Sequence, residues 1–377
     1  MAATGRPVVP GHRAVDPGAE PVEPVEPVGP AAGDDEPEPE VRAAPRTAAR
    51  AAWLVAGAVV LALAVLLSLA LGARSVPFGD VLAALTRFDP TDEGQVVVHD
   101  LRLPRTVVGL GVGIALGLAG ALIQALTRNP LADPGILGVN AGAAFAVVGG
   151  VALLGLTDIT QYVWFAFGGA VVATVAVYLI GSLGTGGGDP VRLTLAGMAL
   201  GAVLQGISSG ITLVRPQVFD AMRYWGAGSL ASVSWDTARA VGPFVLIGVV
   251  IALACGRSLN AVALGDDLAR TLGTRLPLLR AAVVVAVTLL CGAATAAVGP
   301  IVFVGLMVPH VARWLVGPDQ RWLLPLTLLL APALLLVSDV VGRLVIAPAE
   351  LQVGIVTAAV GAPVLIALVR RRNASTL

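Results

Sequence analysis

RLPRTVVGLGVGIALGLAGALIQALTRNPLADPGILGVNAG, running from Arg102 to Gly142, contains one complete membrane crossing and the turn that follows it. From Thr106 to Thr127 it carries no charge, and it is long enough for a helix to cross a hydrocarbon core about 30 Å thick, which takes about 20 residues. Gly109, Gly113, Gly117 and Ala121 recur at i, i+4 spacing and form a smooth stripe. Helices associate in lipid by close packing of such small residues. Arg102 and Arg105 flank Pro104 at the entrance, Gln124 is an uncharged polar group within, and Arg128-Asn129-Pro130 ends the crossing. Asp133-Pro134-Gly135 then reads as a turn. Asn, Asp and Arg are costly beside lipid, so this segment belongs at an interface or against a protein-enclosed cavity. Gln124, Asn129 and Pro130 are therefore candidate path or gate residues.

The same pattern recurs along the chain. Runs free of Asp, Glu and Arg cover 51–73, 106–127, 134–157, 159–188, 193–214, 240–256, 281–312, 322–338 and 351–369. The 281–312 run is too long for one crossing and is broken at Gly299-Pro300, where proline removes a backbone donor. Separate crossings over 277–298 and 301–316 bring the expected number to ten. Hydrophobic residues make up 56% of the chain, charged residues 13%, and the mean hydropathy is +0.87. A soluble domain is about a quarter charged, so a water-soluble globule is excluded and an all-α polytopic membrane protein is expected.

Charge refines this reading. All 24 basic residues are arginine, balancing 24 acids. Without lysine the chain has no residue to reach the β/γ-phosphates in a Walker A loop, so GTGGGD at 184–189 is a flexible turn. A Schiff-base lysine is equally absent, and zero net charge argues against a nucleic-acid partner. The zero is a sum of two parts: residues 1–50 hold five arginines and nine acids, whereas 51–377 hold nineteen arginines and fifteen acids. With ten prolines and repeats such as PVEPVEP, residues 1–50 are expected to form a disordered Pro/Glu-rich tail that buries too little apolar surface to order itself. Arginines are enriched on the cytoplasmic side of membrane proteins. Arg42, Arg46 and Arg50 precede the first crossing and Arg370, Arg371 and Arg372 follow the last, so both termini are expected in the cytoplasm, which an even number of crossings allows. Arg128, Arg192, Arg257, Arg270, Arg275, Arg280, Arg313 and Arg321 then fall inside, and Arg74, Arg87, Arg102, Arg105, Arg215, Arg223, Arg239 and Arg343 outside. The outer set needs a separate explanation. Cys255, Cys291 and the three histidines are too few and scattered for a structural metal site, and His310, without a histidine at i+4, reads as structural. No cofactor or metal is expected.

The 102–142 run, with LAGMALGAVL (195–204), YWGAGSL (224–230), ALGDDLARTLG (263–273), GPIVFVGLMVPHVARWLVGPDQRWLLP (299–325), SDVVGR (338–343) and ELQVGIVTAAVGAPVLIAL (350–368), resembles in order the permease subunits of ABC importers for ferric siderophores, haem and cobalamin. The resemblance covers about 51–370 and is nearest the ferric-siderophore branch. It implies a cobalamin-permease-like architecture with about ten transmembrane helices over 51–370, a cytoplasmic coupling loop at 258–276, and a cytoplasmic C-terminal end at 371–377. It also implies a multi-pass subunit of the cytoplasmic membrane that is not an enzyme. Its partners would be cytoplasmic ATPase subunits, an extracytoplasmic siderophore-binding protein, a second permease subunit, with a heterodimer slightly favoured, and membrane lipid. Arg102, Arg105 and Arg343 match the arginines that receive glutamates of the binding protein, the other reading of Arg343 being an internal pair with Asp339 one helical turn away. Leu264, Gly265, Asp266, Asp267 and Arg270 match the ATPase-coupling loop. An ion-coupled secondary transporter is disfavoured because the central parts of the runs are nearly free of ionisable groups.

Overall fold

A computed structural model describes residues 47–72, 76–156, 159–182 and 190–370. The chain divides into two units, Met1–Ala43 and Ala44–Leu377, and the account below concerns the second. The expectations for residues 1–46 of the tail, for GTGGGD at 184–189 and for the end at 371–377 lie outside the described residues.

The described residues form fourteen α-helices. The long apolar ones are α1 (Thr47–Ala70), α4 (Leu103–Thr127), α6 (Ile159–Ser182), α7 (Pro190–Val214), α9 (Trp235–Ala263), α11 (Leu276–Val298) and α13 (Gln320–Val345). Three shorter apolar helices are α5 (Val139–Leu154), α12 (Val304–Val316) and α14 (Val353–Arg370). Among the described residues, then, seven helices are long enough to cross a membrane and three are shorter, ten in all. The rest are peripheral: α2 (Phe78–Thr86), α3 (Glu93–Val96), α8 (Pro216–Trp225) and α10 (Asp266–Thr271). A π-helical turn over Val97–Arg102 joins α3 to α4.

The sequence places a boundary near each of the ten, and local chemistry sets the ends. Arg128 adopts a left-handed conformation (φ 52°) and returns its N–H to the Gln124 carbonyl, closing α4. Gly138 (φ 74°) opens α5. Ser234 and Thr237 form a reciprocal capping box at the start of α9, satisfying donors that a helix N-terminus leaves free. α2, α3 and α8 were not expected, because 76–102 and 215–234 mix charge with apolar residues and show no long run.

α4 and α11 form the centre: 78% of each apolar window is buried, against 11% for α7 and 22% for α1. The glycine stripe of α4 packs on α13, antiparallel to it. Gly109 meets Leu336, Gly113 meets the Pro332 backbone, and Gly117 meets Ala331 and Thr327. α1 runs parallel to α13, with Gly57 on Leu326 and Leu329 and Ser68 beside Arg343. α13 turns into α14 through a Leu351 N–H bond to the Gly342 carbonyl (3.0 Å). The first helix therefore starts, and the last finishes, at one end of the bundle, which also carries α10. The three arginines Arg102, Arg105 and Arg343 lie at the other.

Two of the shorter helices, α5 and α12, are not complete crossings by themselves. At 1.5 Å per residue, the 13 residues of α12 span about 20 Å. The chain enters α12 through irregular residues 299–303, whose Gly299 (φ 79°) lies on Trp225 and Gly228 and whose Phe303 (φ 70°) packs on Gly361 of α14. Before α5, a 3₁₀ turn over Pro134–Leu137 reaches inward, setting Pro134 against Gly305 and the Ile136 carbonyl against Gly197. The expected crossings at 134–157 and 301–316 thus each begin with non-helical backbone held against neighbouring helices, as the lipid core requires.

Candidate functional site

Three places bring together the residues singled out above. At the arginine end, α1 stops with its last carbonyls unsatisfied, as every helix does. Arg102 Nη1 donates to the Leu69 (2.8 Å) and Ala70 (2.6 Å) carbonyls. Arg343 Nη1 donates to those of Ser68 (3.1 Å) and Leu71 (2.9 Å), and its Nη2 to Ser68 Oγ (3.1 Å) and Asp339 (3.0 Å). Cations at a helix C-terminus also meet the negative end of its dipole. Arg105 grips Asp339 bidentately through Nε and Nη2 (2.7–3.2 Å) and donates through Nη1 to Glu350 (2.7 Å). Arg102 is 5% exposed, Arg343 2% and Asp339 1%. The internal Asp339–Arg343 pair read from the spacing is formed, and all three arginines bond to groups inside the protein, Arg105 being the one whose partners include a part-exposed carboxylate, Glu350. Asp339 and Glu350 were not singled out as site residues. The signal was available: Glu350 is the one acid after Asp339, and it stands at the mouth of a crossing opposite unexplained arginines.

The second place is the crossing of α4 with α12. Gln124 is fully buried; its Nε2 donates to the Gly305 (3.3 Å) and Leu306 (3.1 Å) carbonyls, and its Oε1 accepts from Arg313 Nη2 (3.3 Å). Pro309, four residues beyond Gly305, has no N–H to give that carbonyl, so Gln124 supplies the missing donor. Here Gln124 clamps a helix. Asn129 and Pro130 follow at the surface: Asn129 Oδ1 accepts the Leu131 N–H (3.0 Å), closing an Asx turn. His310 is buried edge-on to Trp314 at 4.7 Å.

The third place lies beyond α9, which runs through Ala263, so helix occupies the first residues of the expected 258–276 loop. Gly265 (φ 105°) precedes α10, where a side chain would be strained. Asp266 bonds Arg128 (3.3 Å) and Arg280 (2.7 Å), tying this segment to the end of α4 and to α11. Asp267 pairs with Arg270 (2.7 Å) in solvent. Leu264, Leu268 and Leu272, four residues apart, are exposed; the sequence reading named only the first. These leucines stand beside the charges of Asp267 and Arg270 at the α10 end of the bundle.

A bundle of ten apolar helices, two of them entered through non-helical backbone, with charge confined to its ends, is a multi-pass membrane protein of the transporter kind. Residues 60–371 match the FecCD transport family. The chain is 54% identical over 314 residues to the ferric enterobactin transport system permease protein FepD of Escherichia coli (strain K12), covering 83% of this chain and 93% of that protein. It is 39% identical to the siderophore transport system permease protein YfiZ of Bacillus subtilis (strain 168), over 85% of this chain and 96% of that one. Its fold matches a solved metal-chelate type ABC transporter in an inward-facing conformation, with a TM-score of 0.75 and 28% identity over 84% of this chain and 98% of the other. The chain belongs to the FecCD transport family, and is a transport permease rather than an enzyme.

Proposed function

We propose that this chain imports a ferric siderophore across the cytoplasmic membrane as one permease half of an ABC importer, driven by a separate ATPase. The observation that carries the substrate is the identity with a ferric enterobactin permease over nearly its whole length. α7 supports a second permease half. Gln205, Gly206, Ser209 and Gly210 are exposed on it, and a β-carbon on either glycine would meet nothing within 4 Å. Polar groups at membrane depth belong against protein or water, not lipid. The second half is a related chain rather than a copy, with the path between them.

In this reading the α10 end faces the cytoplasm, and the exposed leucine row around Gly265, Asp266, Asp267 and Arg270 meets the ATPase. Asp266 passes its movement through Arg128 to the Asn129-Pro130 turn, the candidate gate. The arginine end meets the extracytoplasmic siderophore-binding protein. Of the three arginines, Arg105 makes the contact, and Arg102 and Arg343 hold the α1 terminus beneath it.

The test is uptake of ferric enterobactin into proteoliposomes holding the permease pair and ATPase, with binding protein outside. ATP-dependent accumulation is expected. Accumulation driven by an ion gradient with no ATPase, or uptake of cobalamin or haem in its place, would overturn the reading. In the same assay Asp266→Asn is expected to lower uptake per ATP about two- to fivefold, the scale of partly exposed ion pairs, while the ATPase still co-purifies. Unchanged coupling would remove the proposed link between α10 and α4.

A further inference from the structure

Arg105 stands between two carboxylates of different standing. Asp339, 1% exposed, occupies the Nε and Nη2 edge of the guanidinium, and Glu350, with 31% of its side chain exposed, holds only Nη1. Glu350 is the more exposed of the two partners, so an acidic side chain arriving from outside meets Arg105 on the Nη1 side, where Glu350 already sits. Two carboxylates brought together there repel, so the arrival of one favours the departure of the other.

A cavity of about 260 Å³ adjoins Glu350, lined also by Tyr162, Trp225, Ser229, Ser232 and Gln352. Trp225 is 5% exposed and its Nε1–H has no acceptor. A buried indole N–H nearly always has a partner, so a residue of the cavity wall carries an unused donor, itself closed off from solvent. The Ser229 oxygen accepts the Ala231 N–H (3.1 Å), which leaves its hydroxyl proton to give. A carboxylate released from Arg105 is costly to bury without donors, and these are the donors beside it.

We propose that Glu350 is an intramolecular stand-in for the acidic side chain of the docking protein, and that docking exchanges the two carboxylates at Arg105 while Glu350 moves to the Trp225 cavity. This rests on the docking role of Arg105 proposed above. The exchange makes docking a difference between two similar ion pairs, so the contact is selective and readily released rather than tight. It also keeps the Arg105 charge matched when no partner is present.

Docking is measured as the Kd of the purified, ferric-enterobactin-loaded binding protein for the permease–ATPase assembly in nanodiscs. Glu350→Gln removes the charged competitor and is expected to tighten docking about tenfold, the scale of one hydrogen bond to a charged group. Trp225→Phe removes the receiving donor and is expected to weaken docking severalfold in the native background and to have no effect when Glu350→Gln is present. Should Glu350→Gln not assemble, Glu350→Asp, which draws the carboxylate back from Nη1, is expected to shift Kd in the same direction. If neither Glu350 variant tightens docking while Arg105→Gln abolishes it, the exchange is overturned and the docking role stands. If Arg105→Gln leaves docking intact, the docking role falls and the exchange with it.

Discussion

Asp339→Asn is expected to remove folded permease from the membrane and transport with it. The substitution keeps the size of the side chain and takes its charge. Arg105 then keeps one acceptor oxygen in place of two and loses the charge behind it, and Arg343 loses the carboxylate bonded to its Nη2. Glu350 still faces Arg105, but Arg343 loses its bonded counter-ion where water does not reach, which costs about 3–5 kcal/mol in buried pairs of this kind. Arg343→Met is expected to cost less. Asp339 keeps Arg105 as its counter-ion, and the loss is confined to hydrogen bonds to the α1 terminus and Ser68, on the order of 1 kcal/mol each. The measurement is the thermal midpoint in detergent beside membrane abundance. A midpoint for Asp339→Asn at or above that of Arg343→Met would show that the carboxylate does not hold the cluster together.

The outer arginines show how far the sequence could be read. Hydropathy placed all ten apolar helices, because a membrane crossing leaves an uncharged run that few other structures leave. It also supplied the α4 stripe, since Gly109, Gly113 and Gly117 have a meaning only on a helix that approaches another closely. What it did not supply was the destination of each charge. Spacing gave Asp339–Arg343 as a local pair, but Arg102 reaches Leu69 and Ala70, 33 and 32 residues back, and Arg105 reaches Glu350, 245 residues on. Such contacts are set by which helices become neighbours, and no local pattern encodes that. Gln124 illustrates the same limit. As a lone polar residue in an apolar run it reads equally well as path lining or as a structural donor. The structural part becomes visible only with the arrival of Gly305, left without a donor by Pro309. The leucine row at Leu264, Leu268 and Leu272 was hidden for a different reason: apolar residues are so common in this chain that exposure, not identity, is what marks them.

Gly120→Val is expected to abolish uptake and strongly reduce folded permease, because α4 and α12 cross at this residue. A β-carbon on Gly120 would overlap the carbonyl, carbonyl carbon and Cα of Gly305, all backbone atoms. No side chain can rotate aside. α12 cannot back away freely either, because Gln124 holds the Gly305 and Leu306 carbonyls. Overfilling a packed interior typically costs about 1–3 kcal/mol, and more when backbone must move. The alanine pair separates this cost from backbone propensity. Gly→Ala in a helix interior favours the helix by up to about 1 kcal/mol at any position, so Gly111→Ala, where a β-carbon meets nothing within 4 Å, is expected to raise the thermal midpoint slightly or leave it unchanged. Gly120→Ala carries the same gain nine positions along the same helix and is expected to lower the midpoint by several degrees. Gly120→Val adds two methyl groups at the point where there is no room for the first carbon. Equal midpoints for the two alanine variants would mean that α12 stands farther from α4 than the Gly120–Gly305 contact requires, and the clamp assigned to Gln124, which depends on that approach, would fall with it.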